Sequence, residues 1–223
     1  MNVKLVGYTQ PTSKFVQEGM DDVQDLISFC ARVSNPDNQM NMVTTEKLLD
    51  YLAKHKHWSP FEMASATLEI ETTRDIARQM LRHRSFAFQE FSQRYADPLA
   101  EGFDFEYREA RLQDEKNRQN SNLTDDPEIT EEWFRIQQRV ANFVKKEYSN
   151  ATKLGIAKEQ RRALLPEGLT KSRLYMQGTI RSWIHFIELR SGNGTQKEHM
   201  EVAKACAQAI ASIFPLVDKY VTK

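Results

Sequence analysis

Residues 78–95 read RQMLRHRSFAFQEFSQRY and carry Arg78, Arg82, Arg84 and Arg94 together with His83, Glu90 and Ser92. No lysine occurs between Lys56 and Lys116, so every fixed positive charge in this part of the chain is a guanidinium. A guanidinium is planar, always charged, and grips phosphate or carboxylate through two parallel hydrogen bonds; an ammonium is a point charge on a flexible stem. Ile76, Ala77, Met80 and Leu81 recur at helical spacing, which predicts a short amphipathic helix from 73 to about 83. Phe86, Phe88 and the polar run 89–93 then read as a strand or extended turn. A helix that ends in Arg-His-Arg and passes into extended chain gathers many donors at one junction. A solvated basic helix end, complementing the C-terminal dipole, accounts for the same residues.

Just upstream, 64–72 alternates Ala66, Leu68 and Ile70 with Thr67, Glu69 and Glu71, a half-buried strand feeding that helix. Before it lies HKHWSPFE (55–62). Ser59, Pro60 and Glu62 have the spacing of a capping box with proline at the first helical position, which predicts a helix start. Such a start is an anion site, although a plain cap explains the same three residues. Further toward the N-terminus, 2–8 alternates as a strand, 21–33 and 45–55 have helical apolar faces, and SNPDNQ (34–39) is a loop by composition.

Downstream, 98–126 is polar and rich in Asn, Asp and Gln, which predicts a mobile loop or lid, or equally a surface insertion. Residues 128–154 form a long helix with Trp133, Ile136, Val140, Phe143, Val144 and Tyr148 on its core side. A strand is predicted over 172–179 and a helix over 181–189, with Trp183, Ile184, Phe186 and Ile187 inward. Thr195 and Glu198 have capping-box spacing for a last helix running to about Phe214.

With 223 residues the chain is one large domain or two small ones, long enough to bury a core. Its 40% hydrophobic and 28% charged residues read as globular. Lys+Arg and Asp+Glu both number 31, so no global charge draws polyanions and any anion site is local. No apolar run approaches the roughly 20 residues of a membrane span. The opening MNVKLVGYTQP is too short and polar for a secretory signal. Cys30 and Cys206, two lone cysteines in apolar helical settings, point to a reducing, cytoplasmic compartment and read as buried and inert.

Arg82-His83-Arg84, seven residues, Ser92 and then Arg94-Tyr95 resemble the signature of flavin-dependent thymidylate synthases, the ThyX family. Ala87 and Gln89 stand where family members have Ser and Asn, while Glu90 matches. HxSPFE from His57 to Glu62 resembles the family's flavin-contacting segment. RALLP, from Arg162, resembles its Arg-x-x-Leu-Pro segment, and His185-Phe186 with Leu189-Arg190 its His-Phe-Leu-x-Leu-Arg run. Gly194-Thr195-Gln196 replaces a frequent His-Ala-Gln, so a histidine contact is missing or supplied elsewhere.

The resemblance implies one α+β domain over 1–223, with a small, mostly antiparallel sheet flanked by long helices. It implies methylation of dUMP to dTMP, with methylenetetrahydrofolate giving the carbon and NAD(P)H reducing FAD. It places Gln79, Arg82, Glu90, Phe91, Ser92, Gln93, Arg94, Arg162 and Arg190 around dUMP, with Arg190 catalytic. It places Ser59, Arg82, His83, Arg84, Glu90, Thr179, Arg181 and His185 around FAD. It implies a homotetramer with shared sites, no metal, no nucleic-acid partner and no membrane. A second reading is a single-strand-binding module that stacks bases on Phe86, Phe88, Phe91 and Tyr95. The net charge opposes it, and it leaves RALLP and HFIELR unexplained. A third is a helical assembly protein whose arginines form interface ion pairs.

Overall fold

The computed structural model describes residues 1–192 and 194–222. In chain order the elements are β1 (Asn2–Tyr8), α1 (Ser13–Gln17), α2 (Val23–Ala31), α3 (Thr45–Lys54), β2 (Ser65–Thr73), α4 (Arg74–Met80) and β3 (Ala87–Glu90). There follow β4 (Arg111–Gln113), β5 (Ser121–Leu123), α5 (Pro127–Lys153), α6 (Lys158–Arg161), β6 (Lys171–Thr179), α7 (Ile180–Arg190) and α8 (Lys197–Ala211). The expected α+β class with a small antiparallel sheet holds. The chain packs as two compact units: Met1–Ile70, His83–Gln89 and Tyr175–Lys223 form the first, Glu71–Arg82 and Glu90–Leu174 the second.

The first unit is built on the sheet, ordered β1-β2-β6-β3. The alternation in β2 buries Ala66, Leu68 and Ile70 as its sequence demands. Chain leaving β6 turns straight into α7. Thr179 caps that helix, its Oγ1 accepting the Ser182 N–H at 3.2 Å. Trp183, Ile184, Phe186 and Ile187 face inward as expected, and the fully buried Trp183 indole donates to the Ala66 carbonyl at 3.0 Å. Gly178 is required beside them: a Cβ there would meet the Phe86 ring at 2.5 Å. α8 packs on β1 and α7 and buries Val202, Ala203, Cys206 and Ile210.

The second unit holds α4, the long α5 and a short antiparallel hairpin of β4 with β5. The segment 98–126 is structured here. Phe103 and Phe105 are buried, and Phe105 bridges Thr170. The buried amide of Gln137 on α5 accepts the Arg108 N–H at 2.8 Å and donates to the Arg108 carbonyl at 2.9 Å, clamping the segment to the helix.

Four other expectations change. Ser59–Glu62 is a single 3₁₀ turn with no side-chain cap, because strand β2 begins three residues later and Glu62 turns to Arg181 instead. The capping box at Thr195 does not form: Gln196 is the N-cap of α8 and its side chain donates to Glu198 at 2.9 Å. Within 34–39, Pro36–Asn38 also forms a 3₁₀ turn. On α5 the face turned to this chain carries Gln137, Ala141 and Tyr148, whereas Trp133, Ile136, Val140 and Phe143 are 37–66% exposed. A 3.6-residue period identifies an apolar face; it does not identify what covers it.

Candidate functional site

In the second unit, α4 and the chain around RALLP border an open cavity of about 490 Å³ lined by Arg74, Arg78, Gln93 and Arg162 together with the carboxylates Glu159 and Glu167. Three guanidinium groups at one wall repel one another. Burial lowers the Arg74 pKa, Arg78 and Arg162 lower it further, and Glu90 opposes the shift. Arg74 Nη1 lies 3.2 Å from Glu90, whose carboxylate also accepts the Ser172 hydroxyl at 2.7 Å. Arg78 is paired with Glu167. Arg94 stands 3.5 Å from Glu159, with both side chains more than half exposed, a pair worth little in water. Arg162 is exposed and forms no ion pair among the described residues. Gln93 is only 5% exposed, yet its Nε2 has no hydrogen-bond partner among the described residues. A buried amide donor without a partner costs about 1–3 kcal/mol unless something binds it. The wall thus presents guanidinium forks and an amide donor able to hold an anion, beside the carboxylates of Glu159 and Glu167.

Arg162 of RALLP and Arg161 just before it divide their work. Arg161 is buried and consumed internally: it donates to Asp97 at 3.3 Å, bonds Thr152, and lies 5.0 Å from the centre of the Tyr148 ring. Its neighbour Arg162 lines the cavity. Of the other residues expected around dUMP, Gln79 lies in α4 and Arg82 just beyond it, exposed and unpaired among the described residues. The Phe91 ring packs on Phe103 at 4.7 Å, and Ser92 Oγ accepts the Arg94 N–H at 3.4 Å.

The first unit holds six of the eight residues expected around FAD. Ser59 is exposed at the start of its 3₁₀ turn, and Arg84 is exposed with no ion pair among the described residues. Arg181 pairs with Glu62, and the Thr179 hydroxyl is engaged as the α7 cap. His185 stands edge-on to Trp58 at 4.8 Å; burial and then Arg181 push its pKa below the usual range. Arg190, the last residue of α7, donates from Nε to His83 Nε2 at 3.0 Å. That bond requires a neutral His83 with its proton on Nδ1. The unpaired cation of Arg84 and the exposed polar turn at Ser59 suit a flavin nucleotide, whose pyrophosphate needs donors and whose ring is electron-rich.

Sequence reasoning missed Arg74, which opens α4 and holds Glu90, and His199 on α8. His199 is fully buried, 6.3 Å from the His83 ring and 5.7 Å from Phe186. Its pKa is lowered from 6.5 to about 4, first by burial and then by Arg190 and His83. The unfolded chain therefore binds more protons across that window, and stability falls as pH drops from about 6.5 toward 4. At about pH 5 the loss from this one group is on the order of 2 kcal/mol. Urea midpoints at pH 7.5 and 5 check it: His199→Gln should lose most of the difference, and an equal pH dependence in both proteins would refute the assignment. Of the cysteines, Cys206 is fully buried with its thiol pushed well up by desolvation, whereas Cys30 is only half-buried.

The thymidylate synthase complementing protein family profile matches residues 16–216. A probable flavin-dependent thymidylate synthase of Paramecium bursaria Chlorella virus 1 is 48% identical over 98% of each chain. A flavin-dependent thymidylate synthase of Synechocystis sp. is 47% identical over 97% of each. The crystal structure of a UMP/dUMP methylase, PolB from Streptomyces cacaoi bound with 5-Br dUMP, matches with a TM-score of 0.80 and 26% identity. The match covers 98% of this chain and 93% of that one. The sequence and the fold thus agree, and the chain belongs to the family of flavin-dependent thymidylate synthases.

Proposed function

We propose that this chain is an FAD-dependent thymidylate synthase acting as one functional domain over 1–223. The reaction balances as dUMP, methylenetetrahydrofolate, NAD(P)H and a proton giving dTMP, tetrahydrofolate and NAD(P)⁺. The observation that carries the reading is the arginine-walled cavity with the unpartnered Gln93 amide, set in a chain of this family. When bound, FAD supplies the redox chemistry, taking hydride from the nicotinamide and making it available to the pyrimidine.

The chain's own residues do the rest. Arg162 and Arg94 grip the nucleotide phosphate as bidentate donors, Gln93 adds a buried amide N–H, and Gln79, Arg82 and Phe91 complete the nucleotide's surroundings. Arg74 and Ser172 fix the Glu90 carboxylate. Hydride arrival at C6 places negative charge on the conjugated C4 carbonyl oxygen of the uracil, and C5 discharges it in forming the bond to the one-carbon unit. Arg190, aimed by His83, stabilises that charge, a contribution often worth a few kcal/mol. Ser59, Arg82, His83, Arg84, Glu90, Arg181 and His185 serve the flavin, with Thr179 holding the helix that carries the last two.

The same reading makes the protein a cytoplasmic homotetramer, in which Arg94 and Arg190 reach a given dUMP from different chains. The exposed Trp133, Ile136, Val140 and Phe143 stripe on α5 supports association, since so large an apolar face is costly in water. No described helix is long and apolar enough to cross a membrane.

Titration with FAD tests the cofactor assignment. The protein should bind FAD, turn yellow and bleach on anaerobic addition of NADPH. No binding at micromolar protein would remove the enzymatic reading.

A further inference from the structure

Behind Arg190, in the first unit, three rings meet. His83 stands edge-on to Phe186, with centroids 5.0 Å apart and planes at 83°. His199 reaches the same place from α8, 6.3 Å from His83 and also at 83°. Phe186 and His199 pack against each other at 5.7 Å. Phe186 and His199 are 1% and 0% exposed, so neither has room to turn. An imidazole acceptor lone pair lies in the ring plane, so whatever fixes the plane of His83 fixes the direction of its Nε2. Arg190 Nε–H donates along that direction at 3.0 Å. The Nε end of the guanidinium is thereby held inside the protein, and the plane of the guanidinium is oriented with it.

We propose that His199 is a positioning residue for the reaction: with Phe186 it walls in His83, and His83 aims Arg190 at the pyrimidine ring of the nucleotide. This rests on the reading of Arg190 given under Proposed function and extends it to a residue on a different helix that touches no substrate. Burial beside Arg190 and His83 keeps His199 neutral, so the cluster carries a single cation. A second cation there would repel Arg190, and an aliphatic residue at 199 would leave the His83 ring free to rotate.

A double-mutant cycle tests this, because a residue that acts only through Arg190 has nothing left to affect once Arg190 is gone. Affinity for dUMP is measured by calorimetry on FAD-loaded protein, alongside dTMP turnover, for the parent, His199→Leu, Arg190→Ala and the double variant. Flavin absorbance and the urea midpoint at pH 7.5 report folding; if His199→Leu does not fold, His199→Gln runs the same cycle. The replacement should weaken dUMP binding and turnover by about tenfold in the parent and by less than about twofold in the Arg190→Ala background. The rate of flavin reduction by NADPH, which reports any effect that reaches the flavin through His83, should fall less than turnover does. An equal loss in both backgrounds, or no loss in either, overturns the proposal. A folded, FAD-loaded parent that forms no dTMP overturns the reading beneath it as well, so the two failures are told apart by the parent alone.

Discussion

Arg190→Ala should lower dTMP formation by roughly 10²-fold or more while flavin reduction by NADPH proceeds at close to the parental rate. The split follows from where the guanidinium acts. Arg190 is fixed at the C-terminal end of α7 through its Nε bond to His83, and in the proposed reaction it meets the uracil, whose negative charge grows as the ring reacts. A contact to the uracil that strengthens in the transition state appears in turnover, and more weakly in dUMP affinity, but not in the nicotinamide half-reaction. Arg190→Lys should rescue poorly, because an ammonium has no Nε–H to anchor and no planar fork. Near-parental dTMP formation by Arg190→Ala would take this residue out of the mechanism.

Arg162→Ala should act differently. Arg162 is the exposed, unpaired member of the cavity wall, and a charge-assisted bidentate contact is worth about 2–3 kcal/mol. The phosphate is remote from the reacting carbons, so the loss should appear as a KM for dUMP raised by about 30- to 100-fold, with kcat changed far less. Arg161→Ala is the informative contrast. That side chain holds Asp97 and Thr152 and covers Tyr148, so its removal should lower the urea midpoint before it alters dUMP affinity. A raised KM from Arg161 and none from Arg162 would reverse the assignment.

Much of this was legible in the chain, for identifiable physical reasons. Strands β2 and β6 and helix α7 alternate or repeat with the periods of a half-buried strand and a core-facing helix, and they fold accordingly. The anion site was legible as chemistry, in the lysine-free run of arginines, but not as a place. Nothing local separates Arg161 from Arg162, because one is consumed by Asp97, 64 residues away in sequence. Arg74 was overlooked because its partner Glu90 lies 16 residues further along the chain, beyond any local helical spacing. The apolar stripe of α5 was correctly seen and wrongly covered: the pattern that buries Tyr148 within this chain also runs along the exposed Trp133 and Phe143. Both apparent capping boxes failed for one reason. A Ser or Thr three residues before a Glu permits a cap, and in each case the glutamate found a better partner, Arg181 or Gln196.

The central claim is that the chain methylates dUMP through bound flavin. The most direct measurement supplies purified protein with dUMP labelled in the uracil ring, methylenetetrahydrofolate and NADPH, with and without FAD, and resolves the labelled nucleotides. The account predicts dTMP that rises with FAD occupancy and disappears when NADPH is withheld. Labelled dUMP recovered unchanged from fully FAD-loaded protein, or dTMP formed equally well without flavin, would contradict it.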